Sequence, residues 1–215
     1  MTRYRFVIFD FDGTLADSFG WFLANVNGVA DRFGFRRVCD DDVEALRSTA
    51  PRDILAKLDV PHWKLPRIAR HMRRLKTADL DTITLFPGAE RMLRTLAADG
   101  IALAMVSSDN ESNVRRALGP DICGLFSHFA CGASLFGKAP KFKRVMRKAG
   151  QAATETLAIG DDLRDLEAAR QAGIAFGAVA WGYASAEALL AQAPEEFFAS
   201  IDDIVGRLAT SGAPA

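Results

Sequence analysis

An apolar segment that ends in two aspartates constrains this chain more than any other feature. The residues from Phe6 to Phe9 are all apolar, and Asp10-Phe11-Asp12-Gly13-Thr14 follows directly. An unbroken apolar run of this kind is typical of a strand buried on both faces of a parallel sheet. Ligands of such sheets bind at the carboxyl ends of the strands. Two carboxylates at that edge repel each other unless a cation joins them or one holds a proton, so the pair predicts a metal site or perturbed acid–base chemistry.

The composition excludes several other classes of protein. A chain of 215 residues can bury an α/β core and still carry a small second domain. The formal net charge is zero, which argues against a nucleic-acid partner. No apolar run approaches the roughly 18 residues that span a bilayer, and no secretory signal pattern precedes the first strand. Cys39, Cys123 and Cys131 lack disulfide or zinc spacing and are predicted to be buried thiols in a reducing compartment. We therefore expect a cytoplasmic protein without a membrane partner.

Short apolar segments alternate with amphipathic helical patterns over much of the chain. Gly100 and Gly173 each follow a helical pattern and precede an apolar segment, as glycines that end helices do. This alternation predicts βαβ units and a parallel sheet, hence an α/β fold. The predicted strands are Arg5–Asp10, Ala102–Ser107, Phe129–Cys131, Thr156–Gly160 and Ala175–Val179, and the predicted helices are Glu90–Asp99, Glu111–Leu118, Lys141–Ala149 and Leu163–Ala172.

One region, from about Phe19 to Ile83, contains helical patterns and no convincing strand. Asp41 and Glu44 have the spacing of a capping box that opens a short helix. An apolar stripe at helical spacing follows. We therefore predict an all-α cap domain over residues 18–82, inserted into a core formed by residues 1–17 and 83–215. The stripe consists of Leu65, Ile68, Met72 and Leu75.

Polar residues that could take part in catalysis or ligand binding follow four of the predicted elements. Because the carboxyl ends of parallel strands share one edge of the sheet, these residues are expected to lie together. The four groups are Asp10 and Asp12 after the first strand; Ser107, Ser108, Asp109 and Asn110 after the second; Lys138 in the loop Gly137-Lys138-Ala139-Pro140; and Asp161, Asp162 and Asp165 after the strand ending at Gly160.

This arrangement resembles the haloacid dehalogenase superfamily, in particular its phosphoglycolate phosphatase-like branch with a helical cap. The resemblance covers essentially the whole chain and depends on D-F-D-G-T-L together with G-D-D-x-x-x-D. It implies a Rossmann-like three-layer core and a Mg²⁺-dependent phosphatase that hydrolyses a small phosphate monoester through an aspartyl-phosphate. One departure is Ala139, which stands where relatives often have proline.

The resemblance also implies roles for the paired aspartates and the metal. Asp10 would be the nucleophile, and Asp12 would move protons to the leaving oxygen and from the water. Both would take part in binding Mg²⁺, Asp12 through its backbone carbonyl. Asp161 would complete the protein's share of the metal site, with either Asp162 or Asp165 as a further ligand or orienting residue. The last two could instead cap the helix that follows.

The remaining site residues are predicted to bind the phosphoryl group. Ser107, with Ser108 and Asp109 beside it, would hold the phosphoryl oxygens, although Ser107 could also cap a helix. Lys138 would offset the negative charge between nucleophile and phosphate, with Lys141 as its rival.

The predicted cap would contact the rest of the substrate. Arg47 or Arg52 could bind a carboxylate or second phosphate of the substrate, or both could lie in a solvated surface turn. The basic segment 62–76 is expected to form a solvated face opposite the apolar stripe, with an anion-attracting surface as the alternative.

Other functions remain open from the sequence. A phosphomutase of the β-phosphoglucomutase type would use the same core residues. A non-catalytic binding module on the same fold is a further alternative. A dehalogenase is disfavoured because Asp12 is present, and a phosphonate hydrolase because neither Lys57 nor Lys64 stands in a matching context. The sequence makes no prediction about the oligomeric state.

Overall fold

A six-stranded parallel sheet forms the centre of the protein in a computed structural model. The structure describes residues 4–49, 51–132 and 137–209, apart from the side chains of Pro51 and Arg52. The strand order is β3-β2-β1-β4-β5-β6, which confirms the predicted α/β class. The strands are β1 (Phe6–Phe9), β2 (Ala102–Val106), β3 (Phe126–Ala130), β4 (Thr156–Gly160), β5 (Ala175–Val179) and β6 (Glu196–Phe198).

The register of β1 with its two neighbours explains why the predicted polar groups meet. Phe9 lies opposite Met105 of β2 and Ile159 of β4. The three strands therefore end at the same height, and the residues after them emerge at one edge of the sheet. All four residues of β1 are buried because helices cover both faces of the sheet.

Helices pack on the two faces of the sheet and give it three layers. α5, α6 and α10 share one apolar cluster with Val7 and Phe9, whereas α7, α8 and α9 share another with Phe6 and Ile8. The side chains of β1 thus alternate between the two layers, as strand geometry requires. The helices are α1 (Phe19–Phe33), α2 (Asp40–Arg47), α3 (Pro51–Lys57), α4 (Leu65–Ala78), α5 (Ala89–Ala98), α6 (Glu111–Cys123), α7 (Ala139–Ala149), α8 (Leu163–Ala172), α9 (Ala186–Leu190) and α10 (Ile201–Leu208), with 3₁₀ turns at His62–Lys64, Leu80–Thr82 and Ala153–Glu155.

Helices α1 to α4 lie between β1 and α5, in the region predicted as a cap. We refer to residues 18–82 as the helical insert. It has an apolar cluster of its own, formed by Val26, Val38, Leu58 and Val60. Its two ends run side by side, because Asp17 N donates to Thr84 O at 2.9 Å and Phe86 N donates to Leu15 O at 2.9 Å.

Several local predictions were wrong or incomplete. Strand β3 begins at Phe126, three residues before the predicted start, and β6 was not predicted. Asp41 does not open a helix: it is the second residue of α2, where three aspartates in the first turn favour the helix dipole instead. A capping box is formed instead by Ser200 and Asp203 at the start of α10.

The cysteines differ from their predicted burial, and the helices can be compared with membrane-spanning segments. Cys39, Cys123 and Cys131 are free thiols, but Cys39 is exposed and the other two are only partly buried, so the prediction of buried thiols was wrong. Among the described residues, no helix is both long and apolar enough to cross a bilayer.

Candidate active site

A tight turn directly after β1 presents Asp10 and Asp12 at the sheet edge. Asp10 continues the ladder, since its N–H donates to Ile159 O at 2.9 Å. The chain then folds back, with Leu15 N donating to Phe11 O at 2.9 Å. Gly13 makes the turn possible: its φ is +76°, and a Cβ there would lie 2.2 Å from Asp161 Oδ2.

Lys138 lies between two of the predicted carboxylates. Its Nζ is 2.7 Å from Asp10 Oδ1 and 2.6 Å from Asp165 Oδ1. Burial lowers the pKa of Lys138, but the charges of Asp10 and Asp165 outweigh this effect and the net shift is upward. The ammonium group is therefore held in its charged form beside Asp10.

Asp10, Asp161 and Asp165 form a group whose oxygens could bind one metal ion, since one oxygen from each lies within 4.8 Å of the others. Thr14 Oγ1 and Tyr183 N each donate to Asp161 at 2.8 Å. Burial, with the charge of Asp10, raises the pKa of Asp161 to about 7. Burial also raises the pKa of Asp165, whose Oδ2 is buried without a hydrogen-bond partner among the described residues. Such a group suits a divalent cation.

Asp162, the other candidate for the metal site, has a different set of contacts. It is the N-cap of α8 and accepts from Arg164 N at 2.8 Å through Oδ1. Its Oδ2 lies 2.6 Å from the Arg164 guanidinium. Burial raises the pKa of Asp162, but Arg164 outweighs that effect and the net shift is downward. Its oxygens are occupied by the helix end and this arginine.

Ser107 and Ser108 line the same cavity as Asp10. Ser107 is buried, and its Oγ accepts a hydrogen bond from Asp109 N at 3.0 Å. Its hydroxyl proton can therefore be donated to a ligand. Lys141, the rival of Lys138, donates to Ser107 O at 2.8 Å and to Gly132 O, so it ties two loops together rather than contacting Asp10.

Asp12 is paired with Lys76, a residue that the sequence analysis placed on a solvated face. Lys76 lies in the last turn of α4, is only 6% exposed, and also lies 2.6 Å from Asp109 Oδ2. Burial raises the pKa of Asp12, and the charge of Lys76 opposes this shift without cancelling it. The available sequence signal was its spacing, four residues after Met72 in the apolar stripe, which puts Lys76 on the inward face of α4.

These residues surround a cavity of about 760 Å³ between the sheet edge and the helical insert. The insert contributes Trp21, Asp53 and Lys76 to its wall. The core contributes Asp10, Asp12, Ser107, Ser108, Gly137, Lys138, Lys141, Asp161, Asp162, Leu163, Arg164, Asp165, Glu167, Ala168, Gln171 and Tyr183.

Arg47, one of the two arginines predicted to bind substrate, is not among the described residues of this wall. Arg47 donates to Tyr183 O at 3.2 Å and to Gly182 O at 3.0 Å, which joins the insert to the loop after β5. The Arg47 guanidinium also stacks 5.3 Å from the centre of the Phe19 ring. Arg52 belongs to α3, but its side chain lies outside the described residues.

The sequence profile of the haloacid dehalogenase-like hydrolases matches residues 7–179. The chain belongs to this family. Among the relatives of this hydrolase, the phosphoglycolate phosphatase of Synechococcus elongatus is 30% identical over 200 residues, which are 93% of this chain and 94% of the relative. The phosphoglycolate phosphatase of Xanthomonas campestris is 31% identical over 193 residues, or 83% of this chain and 84% of the relative. A haloacid dehalogenase-like hydrolase from Streptococcus pneumoniae has the same fold, with a TM-score of 0.79 at 20% identity over 96% of this chain and 99% of that one.

Proposed function

We propose that this hydrolase, a phosphatase like its relatives, cleaves small phosphate monoesters with Mg²⁺ through an aspartyl-phosphate on Asp10. The observation that carries the proposal is the group formed by Asp10, Asp161 and Asp165 around Lys138, beside the hydroxyl of Ser107. This group combines a nucleophile, a site for a cation and donors for a phosphoryl oxygen.

The charge of the group supports Mg²⁺ as the cofactor. When all three carboxylates are ionised, Lys138 neutralises only one of them, and a dianionic phosphate would be repelled. A hard divalent cation would give a partner to the Oδ2 of Asp165, which has none among the described residues, and its charge would oppose the burial and the Asp10 charge that raise the pKa of Asp161. Asp10, Asp161 and Asp165 would hold the ion, together with the backbone carbonyl of Asp12. When bound, Mg²⁺ would neutralise charge on the phosphoryl group.

Each side chain has a separate role in the proposed reaction. The Asp10 carboxylate attacks phosphorus while Lys138 and Ser107 hold phosphoryl oxygens. As the bond to the leaving oxygen breaks, Asp12 supplies the proton that turns this oxygen into a hydroxyl group. Asp12 next takes a proton from water, whose oxygen attacks phosphorus and releases the Asp10 carboxylate and inorganic phosphate.

The relatives suggest the substrate class. Both curated relatives are phosphoglycolate phosphatases, and their matches span most of this chain. We therefore propose a short phosphorylated acid such as phosphoglycolate as the first substrate to test. The helical insert would act as the cap, since Trp21, Asp53 and Lys76 form the wall above Asp12.

The Asp10→Asn variant tests the proposal. It should abolish turnover of p-nitrophenyl phosphate in Mg²⁺ while the thermal melt still shows a cooperative folded protein, because an amide cannot attack phosphorus. Asp17→Asn is the matched control: Asp17 is exposed and outside the cavity wall, so this variant should match the wild type. Retained turnover by Asp10→Asn would remove Asp10 as the nucleophile.

A panel of phosphoglycolate, sugar phosphates and nucleotides would identify the substrate by the release of inorganic phosphate. Isomerised phosphosugar without free phosphate would instead support the phosphomutase alternative. An absence of both products with every substrate would favour a non-catalytic binding module.

A further inference from the structure

Lys76 brings a buried positive charge from the helical insert to the core. Its Nζ lies 2.6 Å from Asp109 Oδ2 and is also bonded to Asp12 Oδ1. The side chain of Lys76 is 8% exposed. An ammonium so deeply buried is costly unless its partners are well placed, so both carboxylates are needed to hold it there.

Asp12, Lys76 and Asp109 form a trio, and Asp109 is its most constrained member. Its Oδ1 accepts from Asn110 N at 2.6 Å and from Asn113 Nδ2 at 3.0 Å, which fixes the carboxylate. Its Oδ2 is buried and has no hydrogen-bond partner among the described residues, so the ion pair with Lys76 is the contact that offsets its charge. Asn113 in turn bonds Thr77 of α4 at 3.1 Å, next to Lys76 in the chain. Asp109 is not among the described residues that line the cavity, although the sequence analysis placed it in substrate binding.

Asp12 is the exposed partner. Its side chain is 29% exposed and lines the cavity, and Lys76 is its only side-chain hydrogen-bond partner among the residues that the structure describes. A carboxylate that transfers a proton must be held within hydrogen-bonding distance of the reacting oxygen. Nothing else described in the core holds the Asp12 side chain in this way.

We propose that Lys76 and Asp109 are positioning residues: Asp109 fixes the Lys76 ammonium, and Lys76 orients Asp12 for proton transfer to the leaving group. This inference rests on the proposed function, in which Asp12 supplies that proton. It makes proton transfer depend on contact between the helical insert and the core. Without that contact Asp12 loses the partner that orients it. It then removes a proton less effectively from the water that attacks phosphorus, so hydrolysis of the aspartyl-phosphate slows.

The test uses leaving groups that differ in their need for a proton. p-Nitrophenolate departs as a stable anion, whereas an alkoxide requires protonation as the bond breaks. The two probes are p-nitrophenyl phosphate and the best alkyl phosphate of the substrate panel. The quantity compared is kcat/KM, because it reports steps up to departure of the leaving group.

Lys76→Met and Asp109→Asn should each lower kcat/KM for the alkyl phosphate by about 100-fold, within the range that general acid catalysis supplies. For p-nitrophenyl phosphate the loss should stay below about tenfold. Asp12→Asn should give the same pattern as a reference. The double variant Lys76→Met/Asp109→Asn should lose little more than Lys76→Met alone, because the two residues act as one unit.

Arg74→Met is the matched control, an exposed cation on the same helix, and it should leave both values unchanged. Equal losses with both substrates would reduce the trio to a structural role and overturn the inference. It would also fail if Lys76→Met alone showed the pattern, since Lys76 would then contact the substrate directly. Thermal melts and a Lys76→Arg variant, which should recover part of the alkyl activity, separate misfolding from mispositioning.

The same assay separates this inference from the proposed function. A wild-type protein that hydrolyses neither probe contradicts the phosphatase proposal itself. A different result contradicts only the positioning roles of Lys76 and Asp109: the wild type hydrolyses both probes, and the variants keep the wild-type ratio of the two kcat/KM values.

Discussion

At the scale of single residues, burial and neighbouring charge shift the pKa of Asp161 in the proposed cation site. Its pKa of about 7 lies above the ordinary 3.8, so between these values the folded protein holds a proton that the unfolded chain has released. Without metal, the free energy of unfolding should therefore fall as the pH rises from about 4 to 7. In the proposed site Mg²⁺ would bind the ionised carboxylate, so its stabilising effect should grow over the same range and continue to pH 8.

Thermal melts with and without 5 mM Mg²⁺ would check this prediction. We expect the Mg²⁺-induced rise in Tm to be small at pH 5 and several degrees at pH 8, since a ligand at about 100 times its Kd adds about 2.7 kcal/mol. Asp161→Asn and Asp165→Asn should lose the rise. Asp162→Asn should keep the rise and change Tm only slightly, because asparagine can still cap α8 and only the ion pair with Arg164 is lost. An equal rise at both pH values would contradict the assignment.

The sequence predicted that the candidate residues after the strands lie together, as they do in the structure, and it missed Lys76, which comes from the insert. Asp10, Ser107 and Asp161 could be placed because strand ends share an edge whatever the details of packing. Lys76 could not, since a lysine at the end of an amphipathic helix is normally solvated. Only the position of α4 above Asp12 and Asp109 makes its burial favourable.

At the scale of elements, Gly182 in the loop after β5 packs directly against Asp161. A Cβ on Gly182 would lie 2.1 Å from the Asp161 Cβ and 2.4 Å from its Oδ2. Gly182→Ala should therefore displace Asp161, abolish the Mg²⁺-induced rise in Tm and reduce kcat/KM by about 10- to 100-fold, as changes around metal ligands do. The measurements are the melt and p-nitrophenyl phosphate turnover.

Gly28→Ala is the matched control for this substitution. Gly28 lies inside α1, and no atom would come within 4 Å of the added Cβ. Alanine is the better helix former, so the variant should gain about 0.5–1 kcal/mol in stability with activity unchanged. If Gly182→Ala behaved in the same way as Gly28→Ala, the tight fit around Asp161 would be disproved.

Elements were predicted from the sequence to very different degrees. β4, β5 and α8 have the predicted bounds because apolar runs and glycines define their ends. β3 and β6 lie toward the outside of the sheet, where side chains are only partly buried and the apolar pattern is weak. Helix α6 continues past its predicted end at Leu118 through a break at Gly119, whose φ is 72°.

At the scale of the whole molecule, Arg47 joins the helical insert to the core through the loop after β5. Arg47→Ala removes two hydrogen bonds to the backbone carbonyls of Gly182 and Tyr183, so the insert should separate from the core more often. We expect KM to rise severalfold for every substrate alike, with faster hydrogen exchange at Tyr183 and Ser185.

The exposed Arg37, paired with Asp31 on the insert surface, provides the control Arg37→Ala, which should leave KM and exchange unchanged. A KM increase confined to substrates with an anionic leaving group would show instead that Arg47 binds that anion. That result would return Arg47 to the substrate-binding role predicted from the sequence.

The insert leaves and re-enters the core through two neighbouring segments that are bridged at Ala16 and Leu85. The core chain is therefore almost continuous in space at this point, and inserts of different lengths can be joined there with little effect on the sheet, because the entropic cost of loop closure grows slowly with length. In evolutionary terms, these two bridged segments mark a place where one insert can be exchanged for another. Under the proposed function, recombination there would combine the same phosphoryl-transfer chemistry with a new helical insert, and with it a new substrate, while the residues that follow the strands stay in place.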